Sequence, residues 1–399
     1  MKLANGRSYL AIPGPSVMPD RVLQAMHRPA PNIYSGALPE MVAALLPDLR
    51  AFAGTAHHAA IYIANGHGTW EAALANTILR EDKVLVLATG SFGHGWAEVA
   101  RRLGANVEVM EFRRGMAVDS ARVAARLEAD RDRQIRAVLV THVDTSTSVR
   151  NDIQPLSRAI GETGHPALIM ADCIASMGCD RFEMDAWGVD VAVTASQKGL
   201  MTPPGLGFVF FNPRAEEARA RVGDVSPYWD WAPRVRPEGF YQYFNGTAPT
   251  HHLFGLREAL TMIMHEEGLE AVWARHAGLA RAIWAAFDCW GSQGPARLTV
   301  AEPGWRSHAV TSAHIGAPEG TALRDWLSEN TGVTLGIGLG LAPEGDPAWH
   351  GYFRIGHMGH VNAHMVLGTL GAIEAGMVDL GIAHGSGGLV AAARVCGGK

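Results

Sequence analysis

Residues 189–209 read VDVAVTASQKGLMTPPGLGFV, two short apolar runs separated by a turn. The first run, 189–195, is rich in β-branched and small residues over the length of a buried strand. The PPG sequence at 203–205 excludes a helix and predicts a turn, and a second strand is predicted at 206–211. Lys198 is therefore predicted to lie where the first of two core strands ends.

Lys198 has two interpretations at this point. A lysine between core strands lies near apolar surroundings, which lower the pKa of its ammonium group and leave a more nucleophilic amine. That property suits a lysine that reacts with a carbonyl compound. The alternative is a lysine at a strand end with its head group in solvent, and this segment alone favours that simpler interpretation.

An acidic residue upstream favours the interpretation of Lys198 as a reactive lysine. Residues 167–172 read ALIMAD, an apolar run that ends on Asp172, 26 residues before Lys198. The intervening chain is long enough to cross over and return to a neighbouring parallel strand. Pyridoxal phosphate (PLP) needs a lysine for covalent attachment and a carboxylate that keeps its ring nitrogen protonated. Asp172 and Lys198 at the ends of adjacent strands match that cofactor.

The lysine segment resembles the signature of class V aminotransferases. VD at 189–190, SQK at 196–198 and GLG at 205–207 carry this resemblance. SQK followed by PPG is similar to the branch that contains alanine–glyoxylate and serine–glyoxylate (serine–pyruvate) aminotransferases. Matching motifs extend in order from PGP at 13–15 to FRIG at 353–356.

The resemblance implies an α/β protein with the fold type I architecture of PLP-dependent transferases. It implies an N-terminal arm at 1–19 and a large PLP-binding domain at 20–270, with a mostly parallel seven-stranded sheet sandwiched by helices. A smaller α+β domain is expected at 271–399. The family also implies a homodimer with the active site at the subunit interface, and it places the PGP segment near that site across the subunit boundary.

A turn between a predicted strand and a predicted helix, NGHGTWE at 65–71, directs backbone N–H groups into one space at the positive end of the helix. Taken alone, the GHG sequence favours a simple tight turn, but in the family this turn binds the cofactor phosphate. The residues that the resemblance places around the cofactor are Gly66, His67, Gly68, Phe92, Thr145, Asp172, Ile174, Gln197, Lys198 and Thr247.

The resemblance gives several of these residues a role. Phe92 would stack on the pyridine ring, although a core position is the alternative, and Ile174 would pack on the opposite ring face. The Thr145 hydroxyl would contact the cofactor, and the Gln197 amide would donate to a phosphate oxygen. Thr247 would reach the phosphate bound by the partner subunit. Lys198 and Asp172 are the expected catalytic residues.

Four positions depart from the family pattern. In the loop HVDTSTS at 142–148, Asp144 stands in place of a glutamate and Thr145 in place of a serine. Ser148 replaces a glycine of the same loop, which puts the backbone shape of that loop in question. Phe244 replaces a tyrosine, so a phosphate hydrogen bond made by the tyrosine hydroxyl is expected to be missing or replaced.

Substrate-binding residues follow from the C-terminal and N-terminal segments. Arg354 lies in a strand between Phe353 and Ile355, so it either forms a structural ion pair or binds an anion, for which guanidinium offers two parallel hydrogen bonds. In the family this arginine binds the substrate α-carboxylate. The loop that contains Tyr34 and Ser35 helps to wall the family's substrate pocket, so both are candidates.

The expected activity is a ping-pong transamination from a small L-amino acid, serine or alanine, to a small 2-oxo acid, glyoxylate or pyruvate. One substrate-binding arginine is evident, which favours small partners, although His67, His94 or Arg150 could serve aspartate. Pyridoxamine is a further donor used in this branch. A lyase of the cysteine desulfurase type would need a mobile cysteine, and a catalytically silent scaffold is a third alternative.

Composition argues against several other classes of protein, namely nucleic-acid-binding, membrane-bound and secreted ones. The chain has 399 residues, of which 48% are hydrophobic and 18% charged, and a net charge of −5 gives no reason to expect nucleic acid or an anionic membrane as partner. The N-terminal residues lack the apolar core of a signal peptide, and no apolar segment is long enough for a membrane span. Four scattered cysteines without CxxC spacing predict no metal site and a reduced, cytoplasmic location.

Overall fold

The computed structural model describes residues 3–343 and 345–398, which build two β-sheets, a two-stranded ribbon and the surrounding helices. The strands are β1 (Tyr9–Ala11), β2 (His58–Tyr62), β3 (Lys83–Ala88), β4 (Asn106–Glu111), β5 (Ile135–Thr141), β6 (Val143–Asp144), β7 (Val149–Arg150), β8 (Leu168–Asp172), β9 (Val191–Ala195), β10 (Gly207–Phe211), β11 (Arg297–Leu298), β12 (Val310–His314), β13 (Val333–Ile337) and β14 (Tyr352–Gly356).

The helices alternate with these strands through the first half of the chain and dominate the second half. They are α1 (Asp20–Met26), α2 (Ala37–Ala53), α3 (Gly66–Thr77), α4 (Ser91–Arg102), α5 (Ser120–Glu128), α6 (Ile153–Glu162), α7 (Pro213–Val222), α8 (Ala232–Val235), α9 (Thr250–Leu260), α10 (Leu269–Gly291), α11 (Glu319–Thr331), α12 (Ala363–Asp379) and α13 (Gly388–Cys396). None of the helices within the described ranges is long and apolar enough to cross a membrane.

The large sheet has seven strands in the order β2-β10-β9-β8-β5-β3-β4. All neighbouring pairs are parallel except those of β10, which runs antiparallel to both β2 and β9. The predicted α/β fold with a mostly parallel seven-stranded sheet is therefore confirmed. Its central strands are buried on both faces, as their continuous apolar runs predict.

Helices cover both faces of this sheet. Side chains of α2 and α6 pack in the apolar cluster on one face, and side chains of α3 and α4 pack in the cluster on the other. Strands β8 and β9 are parallel neighbours, so their carboxyl ends lie at the same edge of the sheet. Open parallel sheets bind ligands at this edge.

The second sheet has the order β1-β13-β14-β12-β11 and packs against α10, α11 and α12. Its first strand comes from the other end of the chain, because β1 pairs in parallel with β13. The chain continues from β1 toward the edge of the large sheet where β8 and β9 end. The N-terminal segment thereby connects the second sheet to that edge.

Buried polar contacts also join the two sheets. Asp180, which follows β8, accepts hydrogen bonds from the Ser307 hydroxyl at 3.1 Å and from the backbone N–H of His308 at 3.0 Å. Arg354, in the central strand β14, donates from Nη1 to the backbone oxygen of Thr145 at 2.9 Å. These contacts hold β14 against the loop that follows β5, and so they fix Arg354 beside the end of the large sheet.

Candidate active site

Lys198 lies three residues beyond β9, as its sequence context predicts, and the N-terminal segment packs against it. Its ammonium group donates to the backbone oxygen of Pro13, and a Cβ placed on Gly14 would lie 2.5 Å from Nζ. Ser16 donates through its N–H to Gln197 O at 2.8 Å and through its hydroxyl to Lys198 O at 2.7 Å. The PGP segment is thus near the site within the same chain, whereas the resemblance placed it across the subunit boundary.

The environment of Lys198 favours the neutral amine. Burial lowers the pKa of Lys198 to about 8, and the nearby guanidinium of Arg354 adds to this effect, while the Asp172 carboxylate opposes it. An amine with a pKa near 8 is a substantial nucleophile and proton acceptor close to neutral pH. The first interpretation of Lys198, rather than the solvent-facing one, therefore agrees with the structure.

Asp172 is the last residue of β8 and is 3% exposed. Its Oδ1 accepts from the Ile174 N–H at 2.8 Å, and its Oδ2 accepts from the Trp70 indole N–H at 3.1 Å. Burial raises the pKa of Asp172 to about 7, although both hydrogen bonds favour the carboxylate. A buried carboxylate of this kind becomes more stable beside a positively charged partner.

The turn before α3 forms the expected strand–turn–helix geometry. Asn65 caps the helix, because its side-chain oxygen accepts from the N–H groups of His67 at 3.1 Å and Gly68 at 3.3 Å. A Cβ on Gly66 would clash with Cδ1 of Ile174, so any other residue in this turn would displace the Ile174 side chain. Two of the N–H groups predicted to face a phosphate are therefore already shared with Asn65.

Phe92 lies in the first turn of α4, and Asp144 holds that turn. Asp144 Oδ2 accepts from the N–H groups of Phe92 at 3.0 Å and Gly93 at 3.2 Å, and its Oδ1 accepts from the N–H of Ser146 at 2.9 Å. Burial raises the pKa of Asp144, and these hydrogen bonds act in the opposite direction. The acid that replaces the family's glutamate is a helix cap that positions Phe92.

Ser148, which replaces the family's glycine in the same loop, adopts a left-handed backbone with φ of +60°. The glycine-like conformation is thus kept, at the steric cost of a non-glycine residue. The Ser148 hydroxyl accepts from the Ser312 N–H at 3.1 Å, which offsets part of that cost. The loop therefore keeps the backbone shape that a glycine at this position would allow.

Arg354 is 6% exposed and is oriented by two backbone oxygens. Its Nε donates to Ile337 O at 2.7 Å and its Nη1 to Thr145 O at 2.9 Å. Guanidinium has five N–H donors, so these two hydrogen bonds fix the plane of the group and leave donors for a ligand. Burial lowers the pKa of Arg354 to about 10, and the charge of Asp144 opposes this.

These elements enclose a cavity of about 250 Å³. The amide oxygen of Gln197 is buried without a hydrogen-bond partner among the described residues, so the cavity contains an unsatisfied polar group. The residues that line the cavity are Asn65, Gly66, His67, Trp70, Phe92, Val143, Thr145, Asp172, Ile174, Ala175, Gln197 and Lys198. Eight of the ten predicted cofactor residues are among them.

The cavity fits pyridoxal phosphate on its own chemistry. It combines an amine with a lowered pKa, a buried carboxylate without an ion-pair partner among the described residues, and an aromatic and a β-branched side chain. These groups match the aldehyde, ring nitrogen and ring faces of that cofactor, and the NH2 group of Gln197 can donate to its phosphate. Across 3–343 and 345–398, no group of three or more His, Cys, Asp or Glu side chains could hold a metal ion.

Five predicted site residues lie outside the cavity lining. Gly68 belongs to the same helix turn but packs toward Ala64 and Trp229, and Arg354 lies close enough for its charge to act on Lys198. Tyr34 is 88% exposed, and Ser35 and Thr247 are also exposed. The structure does not bring these three residues to the cavity within one chain, and their roles stay predictions.

Trp70 and Asn65 are site residues that the sequence reasoning missed. Both belong to the segment NGHGTWE at 65–71, in which the glycines and His67 indicate a phosphate-binding turn and the other side chains do not. An asparagine directly before a helix is a common N-cap, so Asn65 was identifiable from sequence. The contact between Trp70 and Asp172 joins residues 102 positions apart and has no local signal.

Comparisons with known proteins agree with this site. A model of the family described as aminotransferase class-V matches residues 8–334. The chain is 37% identical to serine–glyoxylate aminotransferase of Methylorubrum extorquens, covering 97% of this chain and 95% of that one. It is 35% identical to L-aspartate–glyoxylate aminotransferase of Paracoccus denitrificans, covering 96% and 94% of the two chains.

A solved structure shows the same architecture. Pyridoxamine–pyruvate aminotransferase from Mesorhizobium loti superposes with a TM-score of 0.88 at 25% sequence identity, and the match covers 100% of both chains. The likeness thus includes both sheets and the N-terminal segment.

Proposed function

The chain belongs to the class V aminotransferases, and from this membership we propose that it transfers the amino group of serine or alanine to glyoxylate or pyruvate. It is an aminotransferase of fold type I that uses pyridoxal phosphate. The observation that carries the proposal is the cavity at the carboxyl ends of β8 and β9. There an amine of lowered pKa and a buried carboxylate lie together, and a fixed guanidinium outside the lining is close enough for its charge to act on the amine.

We assign each residue a task in the reaction. When bound, the cofactor supplies an electron sink for the electrons of the substrate's broken Cα–H bond. Lys198 attaches the cofactor and, once displaced by substrate, carries the proton from the substrate Cα, because its pKa of about 8 suits both directions. Asp172 holds the proton on the ring nitrogen, and Arg354 orients the substrate carboxylate.

The cofactor residues proposed beside these are Gly66, His67, Gly68, Phe92, Thr145, Ile174 and Gln197. Phe92 and Ile174 would hold the two faces of the ring, and the turn before α3 with Gln197 would hold the phosphate. Because Asn65 already accepts from two N–H groups of that turn, its side chain would reorient or share those donors when phosphate binds. Gln197 lines the cavity, and its side-chain NH2 group is the donor that a phosphate oxygen needs.

Charge around Lys198 supports a small substrate. Among the residues that the structure describes, Arg354 is the cation whose charge acts on Lys198. Arg150 donates to the backbone oxygen of Gly304, and His94 lies 3.2 Å from Glu111, so both are engaged elsewhere and neither lines the cavity. A monocarboxylic donor such as serine or alanine needs one guanidinium, whereas aspartate needs a second positive group.

An assay of amino transfer to glyoxylate tests the proposal. We expect kcat/KM for serine or alanine to exceed that for aspartate by at least about tenfold, the effect of one unpaired buried charge or missing hydrogen bond. Arg354→Gln should lower kcat/KM for these donors by roughly 100-fold. Arg306→Gln is the matched control, because Arg306 also donates to two backbone oxygens, but Arg354 and not Arg306 is among the charges that act on Lys198.

His67 supports aspartate as a second candidate donor. His67 lines the cavity, and protonated imidazole could pair with a second carboxylate. In that case aspartate would be the best donor, and His67→Gln would reduce activity with aspartate more than activity with serine. Pyridoxamine is a further donor for the same assay, because the Mesorhizobium loti protein of similar structure is a pyridoxamine–pyruvate aminotransferase.

The cysteines oppose the lyase alternative. Cys173 and Cys179 are buried beside Asp172 and Asp180, and burial raises the pKa of both thiols, that of Cys179 to about 12. Cys289 lies in α10 and Cys396 at the end of α13, both outside the cavity lining. A desulfurase needs a reactive, mobile thiolate. We expect substitution of each cysteine by serine to leave amino transfer intact.

We further propose that the enzyme is a homodimer of the cytoplasm. Thr247 is exposed, which supports the expectation that it completes the phosphate site of the partner subunit, and a dimer would also let the exposed Tyr34 and Ser35 wall a substrate pocket. The four cysteines are all free, which suits a reducing compartment. Sedimentation equilibrium tests the dimer, and Thr247→Ala should weaken phosphate binding without changing the oligomeric state.

A further inference from the structure

Trp70 is a buried side chain that the proposed reaction does not use. It lies in the second turn of α3, is 1% exposed, and lines the cavity. Its indole N–H donates to Asp172 Oδ2 at 3.1 Å, while the other carboxylate oxygen accepts from the Ile174 N–H at 2.8 Å. Asp172 therefore has one hydrogen-bond donor on each oxygen. The donor from Ile174 is a backbone group, and the donor from Trp70 is a side chain.

The same indole touches the other residues proposed to surround the cofactor ring. Its centroid lies 4.7 Å from that of His67 in an edge-to-face arrangement and 6.4 Å from that of Phe92, also edge-to-face. Behind it, Trp96 stacks at 6.0 Å with an interplanar angle of 16°. One rigid ring thus connects the acid, the stacking aromatic and the turn before α3.

We propose that Trp70 is a positioning residue for pyridoxal phosphate, which holds the Asp172 carboxylate toward the ring nitrogen and supports Phe92 against the ring face. This inference rests on the proposed roles of Asp172 and Phe92. The first turns of α3 would then have two roles, phosphate binding and the positioning of Asp172 and Phe92.

The physical reason lies in the isolation of Asp172. Within the described ranges no arginine or lysine forms an ion pair with this carboxylate, and the charge of Asp144 disfavours its ionised form. The two hydrogen bonds favour the ionised form more strongly than the charge of Lys198 does. A carboxyl group that retains its own proton is a poorer partner for a protonated ring nitrogen.

Trp96 provides a matched control. It is as buried as Trp70 and lies beside it, but its indole nitrogen has no hydrogen-bond partner among the described residues. Trp96→Phe and Trp70→Phe remove the same atoms from the same aromatic cluster. They differ in whether a hydrogen bond to Asp172 is lost.

The test compares the dissociation constants of the two variants for pyridoxal phosphate. We expect Trp70→Phe to raise the constant about tenfold, the loss of one hydrogen bond to a charged group, and Trp96→Phe to change it less than twofold. In the apoprotein, the titration midpoint of the Asp172 carboxyl, followed by carbon NMR, should rise by about one pH unit in Trp70→Phe alone. Equal behaviour of the two variants in both measurements would overturn the inference.

A double-mutant cycle with Asp172→Asn isolates the contact. In the Asp172→Asn background, Trp70→Phe should change the dissociation constant less than twofold, because the charged acceptor is gone. A full tenfold effect there would overturn the inference. Wild-type protein that does not bind the cofactor would instead contradict the proposed site as a whole.

A measurement on folded wild-type protein covers the case in which Trp70→Phe does not fold. With nitrogen-15 in the tryptophans, the indole N–H signal of Trp70 should move as Asp172 titrates, and that of Trp96, assigned from Trp96→Phe, should not. A Trp70 signal that is independent of pH would contradict the contact.

Discussion

Lys198 and Asp172 show how burial prepares two titratable groups in opposite directions. Burial disfavours the charged form of each, which lowers the pKa of Lys198 to about 8 and raises that of Asp172 to about 7. The amine is thereby available as a nucleophile near neutral pH. The carboxyl group is poised to accept a positive partner in the cavity.

The first prediction concerns the attachment of pyridoxal phosphate to Lys198. The neutral amine is the reactive form, so the rate of attachment to apoprotein should rise with pH and level off above a midpoint near 8. Because the Arg354 cation lowers the pKa of Lys198, Arg354→Gln should move this midpoint upward. Stopped-flow absorbance at a series of pH values measures both; a wild-type midpoint near 10.5 would show that Lys198 is solvated.

The second prediction concerns the stability of the apoprotein. The folded-state pKa of Asp172 is raised, so the folded protein binds more protons than the unfolded chain between about pH 4 and pH 7, and stability falls as pH rises through that window. Relative to wild type, Asp172→Asn should gain roughly 3 kcal/mol in the free energy of unfolding between pH 5 and pH 8. Urea unfolding at both pH values measures the gain.

Asp180→Asn is the control for this pH dependence. Asp180 is equally buried, but the pKa of its carboxyl is lowered, because the charges of His308, Arg150 and His142 outweigh burial. Its contribution is present above pH 4 and lost below it, so Asp180→Asn should show no relative gain between pH 5 and pH 8. A gain of the same size in both variants would refute the assignment to Asp172.

Much of the site could be predicted from sequence, because its central residues follow directly on buried strands. Strand ends placed Lys198 and Asp172 together, and motif resemblance added Phe92, Ile174 and Gln197, which line the cavity. Trp70 could not be found this way, since its hydrogen bond to Asp172 depends on the packing of α3 across the sheet. Tyr34 and Thr247 lie outside one chain's cavity, so a single subunit gives no contact to support them.

Helix α4 illustrates how an element is held at the site. Its first turn contains Phe92, and the cap comes from Asp144 in β6 rather than from the residue before the helix. A carboxylate at a helix N-terminus satisfies free N–H groups and interacts favourably with the helix dipole. The position of the stacking aromatic therefore depends on a loop more than 50 residues away.

The third prediction follows from this cap. Asp144→Ala should lower the free energy of unfolding by roughly 3 kcal/mol, because four hydrogen bonds to a buried carboxylate are lost, and should weaken pyridoxal phosphate binding by displacing Phe92. Asp119→Ala, which removes the exposed cap of α5, should cost about 1 kcal/mol and leave binding unchanged. Thermal unfolding and cofactor titration measure both; unchanged binding in Asp144→Ala would contradict the role of the cap.

The N-terminal segment is the second element that shapes the site. Gly14 adopts φ of +96° and lies against the Lys198 side chain, which leaves no space for a Cβ. The segment thus forms a wall for Lys198 through its backbone.

The fourth prediction is that Gly14→Ala slows the attachment of pyridoxal phosphate by roughly 100-fold, because a Cβ displaces Nζ of Lys198. Gly223→Ala is the control. Gly223 has φ of +75° with open space around it, so this substitution introduces backbone strain without a steric contact. The attachment rate is the measurement. If both variants lose the same amount, backbone strain and not contact with Lys198 would be the cause.

Elements that cross the core were predictable, and those at its edges were not. Strands β8, β9 and β10 are nearly continuous apolar runs, and the predicted ranges agree with them within two residues. The edge strand β4 has half-buried side chains and alternates apolar and charged residues over only a few positions, so its signal in the sequence is weaker than that of the buried strands. Helix α13, in the glycine-rich tail, is held by packing against α10.

At the scale of the whole molecule, two apolar cores support the proposed division of the chain. Side chains from Val22 to Val272 fill the core of the large sheet, whereas the core of the second sheet begins at Leu279, apart from Ala11. We propose domains at 20–270 and 271–399 joined by the arm at 1–19. Residues of the large sheet and its loops line the cavity, while the arm contacts Lys198 and β14 holds Arg354 against Thr145.

The central claim is that this cavity performs a half-transamination that depends on Lys198 and prefers small donors. The most direct measurement follows the visible absorption of pyridoxal phosphate bound to the protein after serine, alanine or aspartate is added singly. The account predicts that serine or alanine bleaches the band, that glyoxylate restores it, and that Lys198→Ala shows neither change. Bound cofactor that no donor bleaches, or that aspartate alone bleaches, would contradict it.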